Sequence, residues 1–345
     1  MRAISAADAV SPAIQRTKEF LFRPFNWGTY LKLSLVAIVT EGLGGNSRSS
    51  SHGTQSAGHT PLLDAPFNLT PERVAVGVAA LLLALVVSML VLYLITRLRF
   101  AFFHCLTCNI QEIRPGWWLY REQATRFFWL NVVVGLCFLL VGGLVALPFI
   151  AGFMRLFHQI QQHGEPDMGL LLSLILPLLP VILLLVLTGF AADLILRDCM
   201  LPHYALENAT AGEAWSQVWA RIRAEKREFV VYGLLRVVLP VIAMVLLFLV
   251  LIIPGLILAG SLAAVEVGLH SAFSDASGAS ALVGILVQVF FGVLAFGFAV
   301  LAGICLGGPV STGIREYALI FYGARYQPLG EMLQGVSTWA PSPPM

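Results

Sequence analysis

Six long apolar stretches, separated by polar or basic segments, set the pattern of this chain. They are Trp27–Leu43, Val74–Thr96, Phe127–Ile150, Met168–Leu196, Phe229–Ile253 and Ala281–Leu306. A helix needs about 20 mostly apolar residues to cross a hydrocarbon layer of about 30 Å, and the six stretches approach or pass that length. The pattern predicts an all-α polytopic membrane protein: one integral membrane domain over 1–345 with six transmembrane helices. The first stretch is short and carries Lys32. Beyond the fifth, apolar sequence continues past Pro254-Gly255 to Gly268, too far for one straight span, which predicts a kink at Pro254. Bends are expected at Pro148 in the third stretch and at Pro177 and Pro180 in the fourth.

Between the stretches the periodicity changes. In Glu213–Phe229, Trp215, Val218, Trp219 and Ile222 recur at helical spacing, with Arg221, Arg223, Lys226 and Arg227 behind them. Near the C-terminus Ile314, Tyr317, Ala318, Phe321 and Tyr322 make a similar stripe. Aromatic stripes backed by arginine predict amphipathic helices lying at the headgroup level. The segment 44–73 opens as a Gly/Ser tract and reads as a flexible external loop.

Charge placement gives an orientation. Sixteen Lys and Arg fall in the segments 1–26, 97–126, 197–228 and 307–345, against three (Arg48, Arg73 and Arg155) in the opposite set. Cytoplasmic loops carry the basic excess. The bias therefore predicts an amphipathic N-terminal segment, two basic loops and a C-terminal tail, all cytoplasmic. The pieces also repeat. Arg23-Pro24-Phe25, Arg126-Phe127-Phe128 and Arg227-Glu228-Phe229 each precede an outgoing stretch, and Tyr204-Ala205-Leu206 and Tyr317-Ala318-Leu319 follow returning ones. The unit reads as amphipathic helix, outgoing span and returning span, three times in parallel orientation.

Composition supports the membrane reading. Hydrophobic residues make up 58% and charged ones 12%, where soluble domains carry about 25% charged. Mean hydropathy is +0.83. The net charge of +2 gives no ground for a nucleic-acid partner. Membrane lipids, and a protein partner on the cytoplasmic face, are the expected company. The five cysteines are scattered and imply no disulfide framework.

Several residues are candidates for chemistry. His104, Cys105 and Cys108, joined by Cys199 and His203 at a comparable depth, have ligand types suited to zinc. The simpler reading is that cysteine is a small apolar residue at home in a membrane, so no metal or other cofactor is expected. Asp193 stands four residues before Arg197, which suits a pair along one helix face. An intramembrane carboxylate also marks a polar path, with Asn131 and Gln288 as its other members. Lys32 and Arg236, one to two turns inside their stretches, and Arg223 and Arg227 on the amphipathic helix, are candidate lipid-headgroup contacts. Glu41, near the outer end of the first stretch, is expected to be wet. Gly303-x-x-x-Gly307, followed by Gly308, permits close helix approach. No phosphate-binding loop, nucleophile elbow, dinucleotide fingerprint or zinc-protease motif is present.

The run Asp198-Cys199-Met200-Leu201-Pro202-His203-Tyr204-Ala205-Leu206-Glu207, with Ala214-Trp215 and Ile252-Ile253-Pro254-Gly255-Leu256-Ile257-Leu258, resembles uncharacterised prokaryotic six-span membrane proteins. It is similar to the membrane domain fused to some glycerophosphodiester phosphodiesterases. The likeness lies mainly in the C-terminal half, its motifs are structural, and it implies a prokaryotic cell (inner) membrane protein. No phosphodiesterase domain is present here, so that activity does not carry over. The expected function is a non-catalytic membrane protein that organises lipid or a partner. The alternatives are a transporter or permease-like protein with a polar path near Asp193, and a membrane metalloprotein or enzyme around His104, Cys105 and Cys108.

Overall fold

The computed structural model describes residues 4–42, 71–163, 168–273 and 279–335, all helical or connecting, with no strand among them. In chain order the elements are α1 (Val10–Phe22), α2 (Trp27–Gly42), α3 (Pro71–Cys108), α4 (Ile113–Leu119), α5 (Arg121–His163) and α6 (Met168–Leu194). A π-helical turn (Ile195–Met200) follows, then α7 (Leu201–Leu206), α8 (Ala211–Ala224), α9 (Lys226–Phe273), α10 (Ala279–Gly323) and α11 (Gln327–Leu333).

Five helices, α3, α5, α6, α9 and α10, include segments long and apolar enough to cross a membrane. They are longer than the sequence pattern implied. With 48 residues, α9 is about 72 Å long, over twice the thickness of a hydrocarbon layer. It stays helical through Pro254, where a kink is predicted, and α5 and α6 stay helical through Pro148, Pro177 and Pro180, where bends are predicted. The expected basic loops 97–126 and 197–228 are mostly helix, because α3, α5 and α9 extend into them and α4, α7 and α8 fill the rest. The first expected span is α2, whose 16 residues fall short of the length a crossing needs. The expected external loop 44–73 lies outside the described residues, apart from its last three, which open α3.

The helices pack mainly at one end. The buried core is built from α1, α2, the second half of α3 (Phe100, Phe103, Leu106), the start of α5 (Phe127), Leu201 and Tyr204 of α7, Val218 of α8, Tyr232 of α9, Tyr322 of α10 and Leu329 of α11. We call this the core end. Away from it most side chains are uncovered by protein, although α5 and α6 still touch, with a Cβ on Gly142 within 3.6 Å of Leu185 and Leu156 buried. Val76, Leu81, Leu139, Leu144, Leu183, Phe248 and Phe296 are all more than 60% exposed.

Local chemistry explains where the chain turns. Asn109 (φ 53°) follows α3, and the Ile110 N–H returns to the Cys105 carbonyl at 3.0 Å, a Schellman-type stop. Thr210 opens α8 with a capping box: its hydroxyl accepts from the Glu213 N–H, and Glu213 accepts from the Thr210 N–H at 2.9 Å. Where α2 meets α10, a Cβ on Gly308 would come within 2.2 Å of Ser34, and one on Gly307 within 3.2 Å of Ile38. These two glycines let the helices touch. Gly303, also expected to serve close approach, meets nothing within 4 Å.

Candidate functional site

The most concentrated chemistry lies inside the core end, where α2, α6, the π-turn, α9 and α10 meet. Asp198 accepts from the Tyr232 hydroxyl at 2.7 Å, Arg236 Nε at 3.1 Å and Arg315 Nη1 at 2.9 Å. Glu41 Oε2 lies 2.6 Å from Arg197 Nη2 and 2.8 Å from Arg236 Nη2. Arg197 Nη1 also reaches Asp193 at 3.3 Å. Backbone carbonyls take more of the donors: Arg315 Nη1 binds the Arg197 carbonyl at 3.0 Å, Arg236 Nη1 that of Ile314 at 2.9 Å, and Arg99 Nε that of Thr40 at 3.3 Å. Arg99, Arg197, Arg236, Arg315 and Asp198 are all buried.

The π-turn is what brings two consecutive residues into this cluster. Its wider coil reduces the angle between successive side chains, so that Arg197 and Asp198 both face inward. Within the cluster four guanidiniums meet three carboxylates. Desolvating so many charges is costly and roughly cancels their attraction, so the cluster contributes less to net stability than to the choice of one arrangement. Glu41 ties α2 to the π-turn and α9, while Asp198 ties the π-turn to α9 and α10.

A second polar group lies nearby. The Arg221 guanidinium stands 3.2 Å from His203 Nε2, which must therefore accept, so Nδ1 carries the proton toward Glu207 at 3.3 Å. His203 Nε2 is also 2.8 Å from the Tyr322 hydroxyl. Burial raises the Glu207 carboxyl, but the His203 hydrogen bond and its other donors outweigh that and hold it below the usual carboxylate range. The same sign holds at Glu213, where the Thr210 backbone and hydroxyl lower the carboxyl.

The structure redistributes the expected site residues. The metal candidates do not converge. Cys105 Sγ donates to the Glu112 carbonyl, Cys108 Sγ lies 3.6 Å from His104 Nδ1, and His203 is engaged with Tyr322 and Glu207. Among the described residues no three metal-type side chains gather around a point. The polar path is not assembled either. Asn131 donates to the Phe127 carbonyl of its own helix, and Gln288 lies about 40 Å along α10 from Arg315. Arg236, expected at a lipid phosphate, is buried among carboxylates instead, and Glu41, expected in water, is its partner. Lys32, Arg223 and Arg227 are exposed. The C-terminal stripe, expected at the headgroup level, forms the last turns of α10, with Tyr317, Phe321 and Tyr322 fully buried.

Asp198, Arg315, Tyr232 and Arg99 were not expected at a site. The sequence does carry a signal for the first two. In Arg197-Asp198 and Arg315-Glu316 an arginine directly followed by an acid comes just where an apolar stretch ends.

Five membrane-length helices meeting at one end, where a buried ionic cluster joins four of them, give this chain the build of a multi-pass membrane protein. It belongs to a family of unknown function, DUF7544, which matches residues 4–332. No link to the membrane domain of glycerophosphodiester phosphodiesterases is shown. No curated protein and no solved structure matches the chain.

Proposed function

We propose that this chain is a non-catalytic integral membrane protein that organises the lipid around it, with its core end at the cytoplasmic side of the bilayer. The observation that carries the reading is the uncovered state of the crossing segments. In the most apolar window of each, at most 6% of residues are buried. Side chains so placed have lipid to cover them and do not line a path. The cluster supports the same view, because each of its carboxylates is held by arginine and none is left to carry a proton or a cationic substrate.

The orientation rests on the sixteen-to-three bias in basic residues, most of which belong to the core end. Parity then favours six crossings. Arg16 Nη1 of α1 binds the Leu333 carbonyl of α11 at 3.0 Å, so both lie at one end, while five helices cross. A further passage falls between α1 and the start of α3. The helix order, a short helix before two long ones in α4–α6 and α8–α10, accords with a parallel repeat of those two units, while in α1–α3 only α3 is long.

The test is the boundary lipid in reconstituted bilayers, counted with spin-labelled phospholipid. An open arrangement restricts many more lipids per protein than a closed bundle of equal helix number. A small shell, together with solute flux across the same bilayers, would overturn the proposal in favour of a transporter.

A further inference from the structure

At the corner between α8 and α9 the acids turn inward and the bases outward. Glu225 accepts from Arg325 Nε at 2.7 Å, and Glu228 accepts the Ala6 N–H at 3.0 Å. Both acids are thus taken up by the protein. Arg223, Lys226 and Arg227 are exposed, and among the described residues none of them is in an ion pair. Lys226 and Arg227, with Val230 and Val231, line a shallow cavity of about 280 Å³. Arg223 lies 5.3 Å from the Trp219 ring, which stacks on Trp215 at 5.8 Å. Both tryptophans are exposed.

The cavity continues into an apolar surface. Val230, Leu234, Val237 and Val241 follow at helical spacing down one face of α9, all exposed. Three uncommitted cations attract an anion but do not tell a lipid from a soluble ion. An apolar strip that begins at the cations and runs along a crossing helix does, because a phospholipid has its phosphate and acyl chains joined in that order. Two tryptophans beside the cations suit the glycerol level between them.

We infer that the α8–α9 corner is a binding site for an anionic glycerophospholipid. Its phosphate sits among Arg223, Lys226 and Arg227, and an acyl chain lies along Val230, Leu234 and Val237. Electrostatic attraction supplies the preference for a net-negative headgroup over a zwitterionic one. The inference rests on the reading of the chain as a lipid-organising membrane protein and names the lipid class and the place.

The experiment uses the full chain in bilayers of phosphatidylcholine with a tenth part phosphatidylglycerol, on the order of composition where selectivity is readable. It is extracted as polymer-bounded discs, and retained lipid is measured by mass spectrometry. Phosphatidylglycerol should be enriched over the bulk bilayer. The triple substitution R223Q/K226Q/R227Q should bring the retained lipid back to about the bulk ratio, whereas R114Q/R121Q, at exposed cations elsewhere on the core end, should leave most of the enrichment. Thermal melts of both variants check that they fold. Leu234→Asn should weaken retention with the cations intact. Inorganic phosphate should not displace the lipid. Enrichment unchanged by the triple substitution would overturn the inference while leaving the broader reading in place. Displacement by inorganic phosphate would reassign the corner to a soluble anion. If the native chain retained phosphatidylglycerol only at the bulk ratio, the inference would fall, and the broader reading would still be decided by the boundary-lipid count.

Discussion

At the scale of the residue, Asp198 is the most consequential position. It accepts from one tyrosine and two arginines while fully enclosed. Asp198→Ala leaves two buried guanidiniums facing a gap, and the expected loss is about 3–5 kcal/mol, read from detergent unfolding. Arg315→Ala should cost a similar amount. The double variant should lose clearly less than the two together, because each single change strands the other's partner. Full additivity would mean that the two side chains are independent. Glu207 offers a test by pH. Its carboxyl is depressed in the folded chain, so its contribution is present above the ordinary value and lost as pH falls through the lowered one. The difference in melting midpoint between the native chain and Glu207→Gln should hold from neutral pH down to about 4.5 and close below it. A difference that persists in strong acid would rule out the His203–Glu207 bond as its source.

At the scale of the element, the contact between α2 and α10 depends on two glycines. Gly308→Ala must push Ser34 aside and should cost about 1–3 kcal/mol, as overpacking does. Gly303→Ala meets nothing and should be neutral or slightly stabilising. Equal effects at the two positions would remove the close approach from the account. On α8, changing Trp215 and Trp219 to Ser together should loosen the surface helix, seen as faster amide exchange there, and leave exchange in α9 unchanged. The five longest apolar stretches were legible in the sequence because they need no partner to be recognised: length and hydropathy suffice. The ends of the helices were less legible. Arg97, Arg99, Arg197 and Arg315 look like the polar margins of spans, yet the helices continue past them, since a helix needs no apolar residue to propagate. The same charges read as surface because the sequence does not reveal their partners. Glu41 is separated from Arg197 and Arg236 by 156 and 195 positions, and nothing local announces the pairing. The aromatic stripe of Tyr317 and Phe321 has the spacing of a surface helix and of a core helix alike. Only the stacking of Tyr232 on Phe321, with centroids 4.2 Å apart, decides for the core.

At the scale of the whole molecule, the account describes a chain packed at one end and open along its crossings. The packed end holds the aromatic core, the ionic cluster and the basic surface helices. The open part exposes Leu, Val and Phe over most of the surface of each crossing helix, which only an apolar solvent tolerates. The most direct test places nitroxide side chains singly along α9, at Tyr232 and Arg236 near the core end and at Val241, Met244, Leu246 and Phe248 beyond it, and measures their accessibility to oxygen and to a water-soluble nickel chelate in bilayers. The account predicts high oxygen and low nickel accessibility at all four outer positions regardless of helix face, and low accessibility to both at Tyr232 and Arg236. Helical periodicity in oxygen accessibility across the outer four, or nickel reaching any of them, would contradict it by showing protein or water where the account places lipid.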